Sequence, residues 1–183
     1  MRLGDNLVMH EFVPDDVIKS IRQEIETSTF NIPYQEHLAG NIKEEYALES
    51  CFDTVKYYVE EVANLYKQEE YELESLWVNF MKKHEFNPCH THGGDLSFVM
   101  FIEVPYDIKD EEKVFPDAGS PCAGYFFFQY CDILGKIAEE QIPVDKTYEE
   151  KMFMFPAGLR HGVYPFYTSD KHRITVSGNL RRL

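Results

Sequence analysis

The apolar positions of this chain change their period once. Up to about residue 70 they recur at helical spacing, and beyond it they alternate or run on in short blocks. Pro14, Asp15 and Asp16 open the first helical stretch, because proline suits a first turn and carboxylates favour the positive end of the helix dipole. Val17, Ile18, Ile21 and Ile25 form its apolar stripe, with Lys19, Arg22, Glu24 and Glu26 outside. A second helix is predicted from Ala47 to Tyr66, with Leu48, Phe52, Val55, Val59, Val62 and Tyr66 on one face. Both stripes read as core contacts. Leu7-Val8-Met9 reads as a short edge strand, and Pro33 and Gly40 mark the loop between the helices.

Strands follow. They are predicted at Leu76–Met81, Leu96–Val104 (ended by Pro105), Gly124–Tyr130, Lys151–Phe155, His161–Pro165 and Arg173–Leu180. Residues 107–123 and 132–150 are polar connections, the second with a hairpin signal around Gly135 and Ile142-Pro143-Val144. Helices first and short strands afterwards predict an α+β, mainly β chain whose C-terminal half is a sandwich or barrel. With no repeat, low-complexity stretch or boundary, residues 1–183 read as a single domain.

Composition narrows this little. A hydrophobic share of 44% and an aromatic share of 15% fit a globular, β-rich protein. The net charge of −14, from 32 acidic and 18 basic residues, speaks against nucleic acid as a partner. No apolar run nears the ~20 residues of a membrane span, and Met1-Arg2-Leu3-Gly4-Asp5 lacks the core of a signal peptide. The four cysteines form no CxxC pair, which predicts free thiols in a reducing cytoplasm.

The candidate chemistry begins at Asn87-Pro88-Cys89-His90-Thr91-His92-Gly93-Gly94-Asp95. On an extended segment, His90 and His92 point the same way and can reach one ion, while Cys89 alternates to the opposite face and reads as buried packing. His161, after the Pro156 to Gly158 turn, is the natural third ligand; a turn residue with one backbone bond is the plainer reading. In Arg173-Ile174-Thr175-Val176-Ser177, alternation puts Arg173, Thr175 and Ser177 on one face. An arginine within a core strand is costly to bury unless an anion meets its planar fork. A structural salt bridge competes with that reading. His84 reads as surface, and His10, His37 and His172 show no partner pattern.

The order of these motifs (HxH, long strand, glycine-aromatic strand, Phe-Pro-x-x-x-x-His, Arg-x-Thr-x-Ser-x-Asn) resembles the Fe(II)/2-oxoglutarate-dependent oxygenases, and within them a small bacterial and phage-type branch. The resemblance runs from Trp77 to Asn179. It implies a double-stranded β-helix, or jelly roll, with the N-terminal helices packed on one sheet. It also implies Fe(II) on His90 and His161, and 2-oxoglutarate with its distal carboxylate on Arg173 and Thr175. Asn79, Ser97 and Tyr125 become candidates for the pocket lining. The commonest first motif is His-x-Asp, and here the third residue is His92. Either His92 binds directly, or Asp95 swings in through Gly93-Gly94, or the position stays open.

The implied reaction consumes dioxygen and 2-oxoglutarate, releases succinate and carbon dioxide, and hydroxylates a small molecule or a peptide side chain, prolyl by analogy. The loops 107–123 and 132–150 would select that substrate. Two other readings stay open at this point. One is a cupin-like metal enzyme without 2-oxoglutarate, with zinc a weaker variant; the other is a non-catalytic jelly-roll binding or assembly protein.

Overall fold

The structure, a computed structural model, describes residues 9–28, 30, 32–35 and 38–183. In chain order the elements are β1 (Met9–Phe12), α1 (Asp15–Thr27), β2 (Glu45–Ala47), α2 (Phe52–Lys67), β3 (Tyr71–Met81) and β4 (Asn87–His90). They continue with β5 (Leu96–Glu103), α3 (Ile108–Glu112), β6 (Phe126–Cys131), β7 (Ile137–Ile142), β8 (Lys151–Pro156), β9 (Arg160–Val163) and β10 (Arg173–Arg182). Six strands make one sheet in the order β1-β8-β5-β10-β3-β2, and four make a second in the order β4-β9-β6-β7. All pairings are antiparallel. This is the expected α+β jelly roll, with the two sheets facing each other and not closed into a barrel.

Alternation along the central strands builds two cores. Phe98, Met100 and Ile102 of β5, Met152 and Met154 of β8, and Val176 of β10 face α1 and α2. Val99 and Phe101, with Phe153 and Phe155, face the smaller sheet and meet Phe126 and Phe128. Strand β5 therefore carries the unbroken apolar run of residues 98–102, because both of its faces are covered. Gly178 lies where β10 crosses Phe98: a Cβ there would sit 2.5 Å from the Ser75 carbonyl oxygen and 2.6 Å from the Phe98 ring.

The second helix is shorter than its stripe predicts. Residues 45–47 pair with β3 instead, Glu45 opposite Asn79 and Ala47 opposite Trp77, and the Leu48 N–H bonds the Leu76 carbonyl. The helix starts at Phe52 because Glu24, buried in α1, accepts the N–H groups of Glu49 at 2.8 Å and Cys51 at 2.7 Å. Leu7 and Val8 of the expected edge strand lie outside the described residues, and the strand itself occupies Met9–Phe12.

Burial would raise the Glu24 pKa, but the hydrogen bonds from Glu49 and Cys51 outweigh it and hold the value below the ordinary 4.5. We expect Glu24→Gln to cost about 1–3 kcal/mol in urea denaturation, since an amide cannot accept both N–H groups. Because the native value is depressed, this contribution is complete above pH 4.5 and is lost as the pH falls through the native pKa.

Candidate active site

Strands β4 and β9 pair so that His90 and His161 are direct cross-strand neighbours. His92 lies two residues past the end of β4, held by its N–H to the Ala157 carbonyl at 3.0 Å. The His92 Nε2 is 3.3 Å from Nε2 of His90 and 3.2 Å from Nε2 of His161. Two nitrogens on one ion at about 2.1 Å, subtending tetrahedral to octahedral angles, sit roughly 3.0–3.4 Å apart. The two pairs that include His92 have that spacing, and all three ligand atoms lie within 4.8 Å of one another.

Its protonation suits a metal as well. His90 Nδ1 meets the Pro88 carbonyl at 2.7 Å, and His161 Nδ1 meets the Leu159 carbonyl at 2.9 Å. A carbonyl can only accept, so each ring carries its proton on Nδ1 and turns a bare Nε2 inward. His92 can donate an Nε2 proton to one of these, and with its own proton on Nδ1 instead it would offer a third bare Nε2 to a metal ion. Burial, then the proximity of His90, lowers the His92 pKa to about 4. Burial, then His90 and His92, lowers that of His161 to about 3, and burial lowers that of His90.

These shifts fix the sign of an acid effect. Above the unfolded value of 6.5 both states are neutral and nothing is gained; below it the unfolded chain takes up protons that the native rings refuse. The metal-free protein should therefore lose stability progressively from pH 6.5 toward pH 4, by up to about 1.4 kcal/mol per pH unit for each refused proton. Thermal unfolding across that window checks it, and a curve flat through the window would contradict it.

The three rings line a cavity between the two sheets that is partly open to solvent. Arg173 lines it too, is 2% exposed, and shares its inner face with Thr175 and Ser177. Its Nη1 donates to the Tyr106 hydroxyl at 3.2 Å and to the Gly124 carbonyl at 3.3 Å. Its Nη2 is buried without an acceptor. Among the described residues no carboxylate lies within ion-pair distance of it. The structural salt bridge that competed for this arginine is thus not formed. Tyr106 completes the mount by donating its hydroxyl to Gly124 at 2.8 Å, and Gly124, with φ of 75°, leaves room for the ring at 2.9 Å from where a Cβ would be.

A polar chain runs along the same face. The Trp77 indole donates to Asn79 Oδ1 at 3.1 Å, and Asn79 Nδ2 donates to Thr175 Oγ1 at 3.1 Å. This leaves the Thr175 hydroxyl proton available to a ligand in the cavity. Asn79 and Thr175 therefore line the cavity, as the sequence predicts, but Ser97 and Tyr125 do not. Ser97 donates to Asn179 at 2.7 Å, and Tyr125 donates to Glu112 at 2.5 Å, which fastens the 107–123 connection. Asp95 stands apart from the histidines, its Oδ2 accepting the Arg182 N–H at 2.9 Å. Cys89 is half-buried rather than fully so, with Sγ 3.6 Å from Gln129 Oε1.

All four cysteines are free. His84 is exposed, as expected, while the His172 ring packs against Phe80 with its Nε2 3.8 Å from Glu44, beyond hydrogen-bond distance. His37 lies outside the described residues, and nothing is described of the His10 side chain.

Sequence reasoning missed Trp77, Tyr106 and the cover. Leu38, Ala39 and Ile42 line the cavity, and no residue of 107–123 or 132–150 does. The only available signal was the lone tryptophan on a strand whose alternation points it inward. Among the described residues, no helix is long and apolar enough to cross a membrane.

Comparisons with known proteins agree with this geometry. Residues 75–179 match the model of the family described as "Putative 2OG-Fe(II) oxygenase". No curated protein matches the sequence. Among solved structures, a Pseudomonas putida prolyl-4-hydroxylase is similar with a TM-score of 0.59 at 13% identity, over 96% of this chain and 92% of that one. The non-heme alpha ketoglutarate dependent epimerase SnoN from nogalamycin biosynthesis aligns with a TM-score of 0.62 at 10% identity, over 95% and 76%. HygX from Streptomyces hygroscopicus, solved with nickel, 2-oxoglutarate and hygromycin B, aligns at 0.58 and 10%, over 97% and 84%. At such identities these likenesses speak for the fold, while the family match covers more than half of the chain. With its three-histidine cluster fitting iron, this chain belongs to the 2OG-Fe(II) oxygenases, whose name states their metal and their co-substrate.

Proposed function

We propose that this protein is a dioxygenase that hydroxylates a small molecule or a peptide side chain, converting 2-oxoglutarate to succinate and carbon dioxide. One observation carries the reading: a buried guanidinium with an orphaned Nη2 shares a cavity with three inward-facing Nε2 atoms. A cupin-like enzyme has no use for that arginine. An orphaned buried donor is costly, so a ligand acceptor is the natural partner.

In this reading His90, His92 and His161 hold Fe(II). Arg173 and the Thr175 hydroxyl hold the distal carboxylate of 2-oxoglutarate, and Tyr106 fixes the guanidinium. Iron and the keto acid together supply the oxidising chemistry. Phe126, Phe155 and Trp77 keep bulk water from the site, as apolar walls around a pocket do. Prolyl side chains enter as candidate substrates because one similar structure is a prolyl-4-hydroxylase, although another is an epimerase.

Anaerobic titration of the purified protein with Fe(II) and 2-oxoglutarate tests the reading. A weak visible charge-transfer band at about 500 nm is expected only when metal and keto acid are both present. Absence of the band in a folded, iron-loaded sample would sink it.

A further inference from the structure

We propose that a groove on the outer face of the smaller sheet docks a proline-rich segment of another protein, extended and flanked by lysine or arginine. The groove is a second site, apart from the cavity between the sheets. Val163 lines that cavity, so the next residue, Tyr164, points the other way and packs on Phe127 at 4.8 Å between ring centroids. Gly162 leaves room for this support, since a Cβ there would meet the Phe127 ring at 2.5 Å. Among the described residues, groove and cavity share no lining residue.

Three aromatic rings and two proline rings form its walls: Phe115, Tyr164 and Tyr167, with Pro121 and Pro165. Phe115 stands on the 107–123 connection and is 45% exposed, while Tyr164, Pro165 and Tyr167 follow β9. These walls are fixed in advance. Phe115 meets Tyr167 edge to face at 5.2 Å. The buried Glu111 carboxylate accepts the N–H groups of Tyr167 and Thr168 at 2.8 Å, which ties the connection to the segment after β9. The Tyr164 N–H bonds the Tyr125 carbonyl, and the Gly124 N–H bonds the Pro165 carbonyl, both at 2.9 Å. A groove held this way loses little ordering entropy when a ligand enters.

The walls select the core of the occupant. Aromatic-lined grooves receive proline-rich chains, whose left-handed extended helix is ordered before binding and whose backbone carbonyls are free. Charge selects the flanks. Residues 107–123 hold five carboxylates against two lysines, and one of those, Lys113, is bonded to Asp110 at 2.8 Å. Glu139 accepts the Tyr164 hydroxyl at 3.1 Å, and Glu112 accepts that of Tyr125 at 2.5 Å. The lining titrates accordingly. Burial, then Glu139, raises both Cys122 and Tyr164, the latter to about 12, and burial, Cys122 and Glu111 raise Tyr167. A cationic flank is attracted to such a rim. An acidic flank is repelled, and so is a second copy of this chain with its net charge of −14.

The test uses the full, metal-free chain, so that no turnover occurs, and a fluorescein-labelled oligoproline with arginines at both ends. Saturable binding by fluorescence anisotropy is expected in the wild type. The same probe with aspartates in place of arginines should bind about tenfold more weakly or worse at low salt. Phe115→Ala should weaken the arginine probe about tenfold or more, and Tyr167→Ala should do the same. Phe115 is half-exposed, so Phe115→Ala should unfold at the wild-type temperature, which separates a lost contact from a lost fold. Equal affinity in wild type and Phe115→Ala places the probe elsewhere, the cavity included, and overturns the proposal. A wild type that binds no probe overturns it as well, as does one that binds an alanine-leucine helix with arginine ends equally tightly. Sedimentation that shows a wild-type dimer dissociated by Phe115→Ala would give the groove to a second copy and overturn it too. None of these outcomes bears on the charge-transfer band, so the function proposed above stands or falls separately.

Discussion

Replacing Arg173 with methionine should weaken 2-oxoglutarate binding about 100-fold while leaving the ligand-free protein at least as stable as wild type. The two halves of that expectation have one cause. The guanidinium is buried, and its Nη2 has no acceptor, so the empty protein carries an incompletely paired charge. Methionine fills much of the volume and removes that cost. Nothing new is orphaned, because the Gly124 carbonyl keeps the Tyr106 hydroxyl as donor. In the liganded protein the same change deletes charge-assisted hydrogen bonds worth about 1.5–3 kcal/mol each. Calorimetric titration of metal-loaded protein with 2-oxoglutarate, beside thermal unfolding of the metal-free protein, separates the two halves. Unchanged affinity would remove the basis for a carboxylate clamp. A large loss of stability in the empty protein would instead make Arg173 a structural residue.

Metal binding should depend on the histidines and hardly at all on Asp95. His161→Ala is expected to weaken Fe(II) at least about 100-fold, since even outer-sphere partners of a metal ligand typically cost 10–100-fold. His161 is 5% exposed and braced between Phe126 and Phe155, so no neighbouring side chain can swing in to replace it. His92→Ala should follow closely, because its Nε2 lies within 3.3 Å of both other Nε2 atoms. Asp95→Ala should change little, given that its carboxylate is committed to the Arg182 N–H on the far end of β10. Competition against a chromophoric chelator under anaerobic conditions ranks the three. Were Asp95→Ala to weaken iron more than His92→Ala, the third ligand would be Asp95.

Much of this site is legible in the sequence because strand alternation is a strong constraint. Arg173, Thr175 and Ser177 share a face in β10 for the same reason that Ile174 and Val176 share the other. Alternation places side chains on faces but does not say how far along a face the cavity extends. Ser97 is on the inner face of β5, yet its hydroxyl is consumed by Asn179 and it misses the cavity. Tyr125 precedes β6 rather than belonging to it, and its hydroxyl goes to Glu112. Tyr106 follows Pro105 in irregular chain, where periodicity carries no signal.

The helix boundary failed for a related reason. Leu48 and Phe52 fit a helical stripe, but Glu45 to Ala47 gain more by adding to the edge of β3, and Glu24 then caps the shortened helix across the chain.

The sequence by itself determined that two helices precede the main strands, the inward faces of those strands, and the residue types that meet: two histidines, a third, and an arginine. These are local consequences of side-chain period and composition. Only the tertiary structure decided that the three Nε2 atoms converge, that the Arg173 charge is unpaired, and that Leu38, Ala39 and Ile42 rather than the long loops cover the site. Those facts depend on the register between β4 and β9 and on which loop folds over the gap between sheets. They are set by long-range packing, which no window of neighbouring residues contains.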